Sequence, residues 1–321
     1  MAFFIQRCKM LSLDERKIRK GRSVGLPYVG SKKKISKKIV QLIIQNFGKD
    51  KTVYDIFGGG GAITAECVIN GLDVRYNDLD KTVVDMFETI LKSDREFLKT
   101  LIVSRKDFFE ILSKDEKTAE DNLKLLINSF GNDRKTYLYN KEVSDIKYNL
   151  AKDIILNHNV FSGYKQTETY ERAFTQYNGR MDILKQLHQL GQLQTLERLQ
   201  QLEQMQKLQQ LERLQCVQGD AIHPFTSFDY KQFSNVTDAI IYLDPPYEST
   251  GKYYHENEMD YQEFYDWAVR MSQNNIVLVS SYAVSDGRFE MVYNFKKARS
   301  TKQGGTSNGK SEKLFMVKDN L

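Results

Sequence analysis

A chain of 321 residues with 40% hydrophobic content can bury a full core and carry a second lobe. Its three cysteines, Cys8, Cys67 and Cys216, lie far apart, and its four histidines, His158, His188, His223 and His255, have no HxxxH or CxxC partner. A disulfide framework and a metal site are therefore not expected, and the cysteine usage suits a reducing compartment. The net charge of +5 is mild, but ten of the 23 residues from Arg16 to Lys38 are Lys or Arg, with no acid among them. So many like charges repel one another unless a partner neutralises them, which points to a polyanion-facing surface.

The opening MAFFIQRCKMLSL has too short an apolar run for a signal peptide, and no stretch reaches membrane-spanning length, so a soluble cytoplasmic protein is expected. SKKKISKKIVQLIIQNF (31–47) places Ile35, Ile39, Leu42 and Ile43 at helical spacing, with Ser31 able to cap. KTVYDIFGGGG (51–61) reads as a short buried strand over 52–56 running into a glycine loop. AITAECVIN (62–70) reads as a helix ended by Gly71. LDVRYNDLD (72–80) is a second strand finishing in acids, and KTVVDMFETILKS begins another helix. Strand, glycine loop, helix and acid-ended strand make one half of a doubly wound, Rossmann-like sheet.

From about 95 to 215 helical stretches such as DNLKLLINSF (121–130) alternate with polar, tyrosine-rich loops, and an inserted lobe is predicted. The α/β grammar returns at VTDAIIYLDPPY (236–247), with a helix in YQEFYDWAVRMSQ (261–273) and a strand in NIVLVSSY (275–282). RFEMVYNF (288–295) and EKLFMVK (312–318) predict a terminal hairpin around a Gly/Ser/Asn/Lys loop at 300–311. The organisation expected is thus 1–94 and 216–321 forming one catalytic domain, with an inserted, mainly helical lobe at 95–215.

Within that lobe, from Leu184 to Leu214, a leucine falls at every third residue, with Met205 the only replacement. A three-residue step lags by about 60° in an α-helix, so the stripe winds around the helix instead of holding one face. A coiled coil needs an average step of 3.5. The readings left open are a repeat-expanded spacer and a partner- or DNA-contacting arm.

Two constellations carry chemistry. The loop Asp55-Ile56-Phe57-Gly58-Gly59-Gly60-Gly61 lacks the third glycine of GxGxxG and the Lys-Ser/Thr of a phosphate loop, which disfavours a dinucleotide or ATP. Asp78 ends the second strand about twenty residues on, where a carboxylate can accept both hydroxyls of a ribose or cap the next helix. In the second constellation, Asp244-Pro245-Pro246-Tyr247 ends an apolar strand. Two prolines remove two backbone donors and fix two φ angles, so the acid and the ring are held rigidly at a strand end.

The glycine loop fits DxFxGxG, which resembles the loop beneath the methionine part of S-adenosyl-L-methionine. Together with the acid-ended second strand, DPPY, and Pro27-Tyr28-Val29-Gly30-Ser31-Lys32 near the N-terminus, the chain resembles the alpha group of DNA N6-adenine methyltransferases, the Dam-type family of bacteria and phages. The motif order matches over nearly all of 25–320, the leucine repeat excepted. The resemblance implies a Rossmann-like class I S-adenosylmethionine-dependent fold. It also implies a site-specific enzyme that methylates the N6 amine of a flipped adenine in duplex DNA. Double-stranded DNA is the partner implied, in the cytoplasm of a bacterial host, and a cognate restriction endonuclease stays open.

By the same resemblance Tyr28, Lys32, Asp55, Phe57, Gly59, Gly61, Asp78 and Asp244 hold the cofactor. Asp220 and its neighbour Ala221, in Gln218-Gly219-Asp220-Ala221, would meet its adenine, with Ala221 standing where the family carries an aromatic. Asp244 and the Pro245 carbonyl would accept hydrogen bonds from the target amine, Pro246 would keep the corner rigid, and Tyr247 would stack on the base. Lys33, Lys34 and Lys37 would face DNA, as would Asn132, Arg134, Lys135 and Tyr137 in GNDRKTYLYN, a polar loop that reads equally as a solvated surface. Rival readings are an rRNA guanine-N2 enzyme, in which DPPY follows the glycine loop closely, not about 185 residues later as here. An N4-cytosine DNA enzyme, which usually has serine at the position of Asp244, is another, and a catalytically idle DNA-binding subunit is the third.

Overall fold

The computed structural model describes residues 10–28, 30–178, 193–210, 225–248, 259–295 and 311–318. The chain forms two compact units, one from residues 1–23, 30–84 and 211–321, the other from 24–29 and 85–210.

The first unit is built on a seven-stranded sheet: β1 (Val53–Asp55), β2 (Val74–Asn77), β3 (Phe225–Thr226), β4 (Ile240–Leu243), β5 (Ile276–Ser281), β6 (Phe289–Asn294) and β7 (Lys313–Val317). Their order is β3-β2-β1-β4-β5-β7-β6. β1 to β5 pair in parallel, while β7 runs antiparallel to both β5 and β6. Parallel strands must be covered on both faces, and β4 shows the consequence, with Ile240, Ile241, Tyr242 and Leu243 all buried. The core on one side joins Ile56, Ile241, Leu243 and Val279 to Phe264, Tyr265 and Trp267 of a helix over Tyr261–Met271. The terminal hairpin lies where the sequence predicts it, and the short β3 is an element the sequence does not announce.

Helix α1 (Ser36–Phe47) follows a 3₁₀ turn, Lys32–Lys34, whose first amides are capped by the Ser31 side chain. α2 (Ala62–Ile69) is buried over nearly its whole length, including Glu66, whose carboxylate takes a two-pronged ion pair from Arg19 at 2.5 and 2.6 Å. α3 (Lys81–Lys92) starts in the sheet unit and continues into the second. Its first amides are capped by Asp80, whose side chain accepts from the Thr82 amide, so the capping alternative considered for Asp78 falls to Asp80.

The second unit is helical: α4 (Arg95–Thr100), α5 (Arg105–Leu112), α6 (Ala119–Asn128), α7 (Ser144–His158), α8 (Glu168–Asn178) and α9 (Gln194–Gln206). α6 opens with a capping box in which Thr118 and Asp121 exchange hydrogen bonds. α9 is the described part of the leucine repeat. Leu193, Leu196, Leu199, Leu202, Met205 and Leu208 are all buried, as are Thr195 and Arg198. Three steps from Leu196 to Met205 turn the stripe through about 180°, so opposite sides of this helix are covered by the unit's own side chains. The backbone then tightens to 3₁₀ at Lys207–Gln210, where three residues per turn match the period of the repeat. Over these residues the repeat is core, because a winding stripe suits a helix packed on many sides. The rest of the repeat lies outside the described residues.

Candidate functional site

The site assembles at the carboxyl ends of β1, β2 and β4. Parallel register places Asp55 opposite both Tyr76 and Tyr242, so the glycine loop and DPPY leave the same sheet edge side by side. Gly59 and Gly61 have φ values of 49° and 69°, which an L side chain rarely adopts. Gly58 is required for space, since a Cβ there would overlap the Tyr76 ring. The loop is then tied down from β2: Asp78 Oδ2 accepts from the Gly59 amide at 2.7 Å, and the Tyr76 hydroxyl donates to the Gly59 carbonyl at 2.7 Å.

Asp55 is the buried anchor of this corner. Its Oδ2 accepts from the Thr64 amide at 3.1 Å and the Thr64 hydroxyl at 2.7 Å, while its buried Oδ1 has no hydrogen-bond partner. Burial pushes its carboxyl up to about 7, Thr64 opposes the shift, and the charges of Asp244 and Asp78 add to it. Phe57, by contrast, packs edge-on to Phe264 with centroids 5.9 Å apart, so its observed contacts are with the core.

DPPY is held by residues from both ends of the chain. Lys32 Nζ contacts Asp244 Oδ1 at 2.6 Å and donates to the Tyr247 hydroxyl at 2.7 Å. The Tyr247 hydroxyl donates to Glu312 Oε2 at 2.9 Å, and its ring packs on Tyr282 with centroids 4.4 Å apart. Tyr261 donates to the Pro246 carbonyl at 2.7 Å, which fixes the second proline. Burial raises the Asp244 carboxyl to about 6 against the pull of Lys32. For Lys32 burial works against the cation, yet Asp244 and Glu312 together hold it well above the ordinary lysine range. The two shifts agree physically: one cation is shared by two acids, so it is over-stabilised while Asp244 is only partly compensated.

Two exposed apolar side chains lie beside Asp78. Leu79 is 59% exposed and Phe228 45% exposed. Asn77 binds the Phe228 backbone twice, donating to its carbonyl at 2.9 Å and accepting from its amide at 2.8 Å, and the Ser227 hydroxyl donates to the Leu79 carbonyl at 3.1 Å. Sequence reasoning overlooked Leu79, Phe228 and Glu312. The only local signal was that Phe228 lies just before the DPPY strand, as the Ala221 segment does. Asp220 and Ala221 lie outside the described residues.

Of the other predicted residues, Tyr28 is half-buried and belongs to the helical unit. Lys33 and Lys37 are half-buried and Lys34 is exposed, and Lys37 donates to the Gly21 carbonyl. The acid-free basic run is partly neutralised from outside itself, by Asp14 on Arg16, Glu15 on Lys38, Glu66 on Arg19 and Asp244 on Lys32.

In the helical unit, residues 129–137 form a tight loop with positive φ at Gly131, Asn132 and Arg134. Asp133 accepts from the Lys135 and Thr136 amides at 2.8 and 2.9 Å. Lys135 is exposed, and the loop also carries Phe130 at 65% exposure. Tyr137 is corrected from a DNA-facing residue to a core residue. It is 5% exposed, its hydroxyl donates to the Val103 carbonyl at 3.0 Å, and its ring packs on Phe108 and Tyr139. Asn132 and Arg134 are half-buried, and the Asn132 side-chain oxygen is buried.

The strand order, with the antiparallel β7 inserted between β5 and β6 and an acid-ended β2 beside a glycine loop, is that of a Rossmann-like S-adenosylmethionine-dependent methyltransferase. The model of the D12 class N6 adenine-specific DNA methyltransferase family matches residues 28–268, and the chain belongs to that family. Among solved structures it is similar to the rRNA methyltransferase aviRa from Streptomyces viridochromogenes, at 12% identity and a TM-score of 0.38, over 95% of this chain and 93% of that one. No curated protein matches it.

The protein is thus an adenine-specific DNA methyltransferase with S-adenosyl-L-methionine as its cofactor. The residues present fit that cofactor. The unpartnered, buried Asp55 oxygen in a corner shared with Asp78 and Asp244 suits a cationic sulfonium compound. No helix among the described residues is long and apolar enough to cross a membrane.

Proposed function

We propose that the chain methylates the N6 amine of an adenine swung out of duplex DNA into the corner between Asp244 and Tyr247. S-adenosyl-L-methionine supplies an electrophilic methyl group. The work of this chain is to orient the nucleophile, because an adenine amine is conjugated with its ring and attacks poorly when planar. Lys32 engages Oδ1 of Asp244, so Oδ2 and the Pro245 carbonyl are the acceptors offered to the two amine hydrogens. Held that way, the nitrogen moves toward tetrahedral geometry and its lone pair turns to the methyl carbon. Attack by that nitrogen would form the N–C bond as the donor's C–S bond breaks, and the proton lost from the alkylated amine would pass to solvent. Tyr247 offers the base the ring face opposite Tyr282.

Asp55, the glycine loop and Asp78 hold the cofactor in this reading, with Leu79 and Phe228 taking its adenine in place of the contact first assigned to Ala221. Lys33, Lys34, Lys37 and the Phe130–Lys135 loop meet DNA. The helical unit serves target recognition.

The observation that carries the proposal is the fixed Asp244 carboxylate, paired at 2.6 Å with Lys32 at the strand end next to the glycine loop. Asp244→Ala is expected to lower methyl transfer by about 10²–10³-fold or more. Gel-shift affinity for DNA should stay within a few-fold of wild type. Substantial residual turnover would remove the amine-orienting role from Asp244.

A further inference from the structure

Glu312 is the one acid of the DPPY network that comes from beyond the segment matched by the family. It immediately precedes β7, the reversed strand wedged between β5 and β6, and is only 4% exposed. Burying a carboxylate costs heavily unless each oxygen is compensated. Here Oε1 accepts from the buried Ser280 hydroxyl on β5 at 2.9 Å and lies 3.6 Å from Lys32 Nζ, while Oε2 accepts from Tyr247 at 2.9 Å. Two of these three partners, Lys32 and Tyr247, touch the DPPY corner directly. An acid needed only to close the hairpin has no reason to be aimed there.

We propose that Glu312 is a positioning residue for methyl transfer, dividing the Lys32 ammonium between itself and Asp244 and fixing the Tyr247 hydroxyl against the corner. The inference rests on the reading of Asp244 as acceptor for the target amine. The charges facing Asp244 are Lys32 from the turn before α1, Glu312 from β7, and Asp55 and Asp78 from the ends of β1 and β2. The tyrosines beside it are Tyr242 and Tyr247. One ammonium serves two carboxylates, so Asp244 ionises less readily than a fully paired acid would. If Glu312 becomes neutral at constant shape, Lys32 belongs to Asp244 alone.

The test is Glu312→Gln, whose amide can still accept from Tyr247 and donate to Ser280. In protein carrying ¹³C-carboxyl aspartate, with the Asp244 resonance identified by its loss in Asp244→Asn, the Asp244 titration midpoint is expected to fall by on the order of one pH unit. The acid limb of the single-turnover rate on unmethylated genomic DNA should move down with it, while the KM values for cofactor and DNA stay near wild type. An Asp244 midpoint and acid limb unmoved in Glu312→Gln would overturn the assignment.

Should that variant not fold, Glu312→Asp carries the test. With its charge kept but withdrawn by one methylene, it must lower the single-turnover rate more than the cofactor affinity, and equal losses in both would overturn the proposal. The NMR titration needs no substrate. A shifted midpoint alongside a wild-type protein that places no methyl on adenine would therefore uphold the Glu312 link and defeat the functional reading.

Discussion

The sheet unit and the helical unit are both packed around large apolar side chains, but they are written in different grammars. In the sheet unit, each chemically active side chain stands at a strand end or beside a glycine with a defined steric duty. Asp55 ends β1, Asp78 follows β2 and Asp244 follows β4. In the helical unit the ordering contacts belong to side chains with no motif around them. Arg198 is the clearest: its Nη1 donates to the carbonyls of Leu126, Ile127 and Ser129 at 3.2, 2.7 and 2.8 Å, closing the C-terminal end of α6 where the Phe130 loop begins. The contrast teaches that a site built at strand ends can be read from short motifs. A helical unit of this kind must be read from its packing.

Breaking Arg198 is the largest test of that contrast outside the active corner. Arg198→Ala leaves three carbonyls of α6 and its exit without their buried donor, and is expected to cost about 2–3 kcal/mol in denaturant unfolding of the helical unit. Cofactor affinity, which the proposed reading places in the sheet unit, should hold. A loss of affinity equal to the loss of stability would show that the two units do not divide the work in this way.

Asp55 sharpens the comparison from the other side. Its folded carboxyl, raised to about 7, keeps a proton that the unfolded chain sheds near pH 4. The native state therefore binds more protons between those values, and this group's contribution to stability falls as pH rises through that window, without recovery above it. Asp55→Asn removes the slope. Ligand-free protein at pH 8 should melt about 2–4 °C higher or more, while calorimetric affinity for S-adenosylmethionine falls about tenfold or more. Unchanged affinity would separate Asp55 from the cofactor.

The smallest effect is expected at Lys33, Lys34 and Lys37. Reversing their charges should weaken DNA binding and flatten its dependence on salt concentration, measured as the slope of log affinity against log salt. An unchanged slope would take these lysines out of the interface.

Much of the sheet unit was legible because its signals are local. The glycine loop, the acid at 78 and DPPY each occupy fewer than eight consecutive residues, and the topology then joins them. Glu312 was not legible, since a single acid before the last strand acquires meaning only beside Lys32 and Tyr247, which are remote in sequence. Phe228 was hidden by the short β3, whose two residues carry no periodicity, and the aromatic role was sought instead around Ala221. Tyr137 misled in the opposite direction. A polar, cationic loop suggests exposure, yet the chain reverses tightly enough to return that ring to the core. The leucine repeat was read against a surface helix, and its three-residue step became intelligible once opposite sides of α9 proved to be buried.

The most direct test of the whole account incubates the purified chain with S-adenosylmethionine carrying a labelled methyl group and unmethylated duplex DNA, then digests the DNA to nucleosides. Label recovered in N6-methyl-2′-deoxyadenosine, and lost with Asp244→Ala, is the result this account predicts. Label in cytosine, or DNA binding with no transfer, would contradict it.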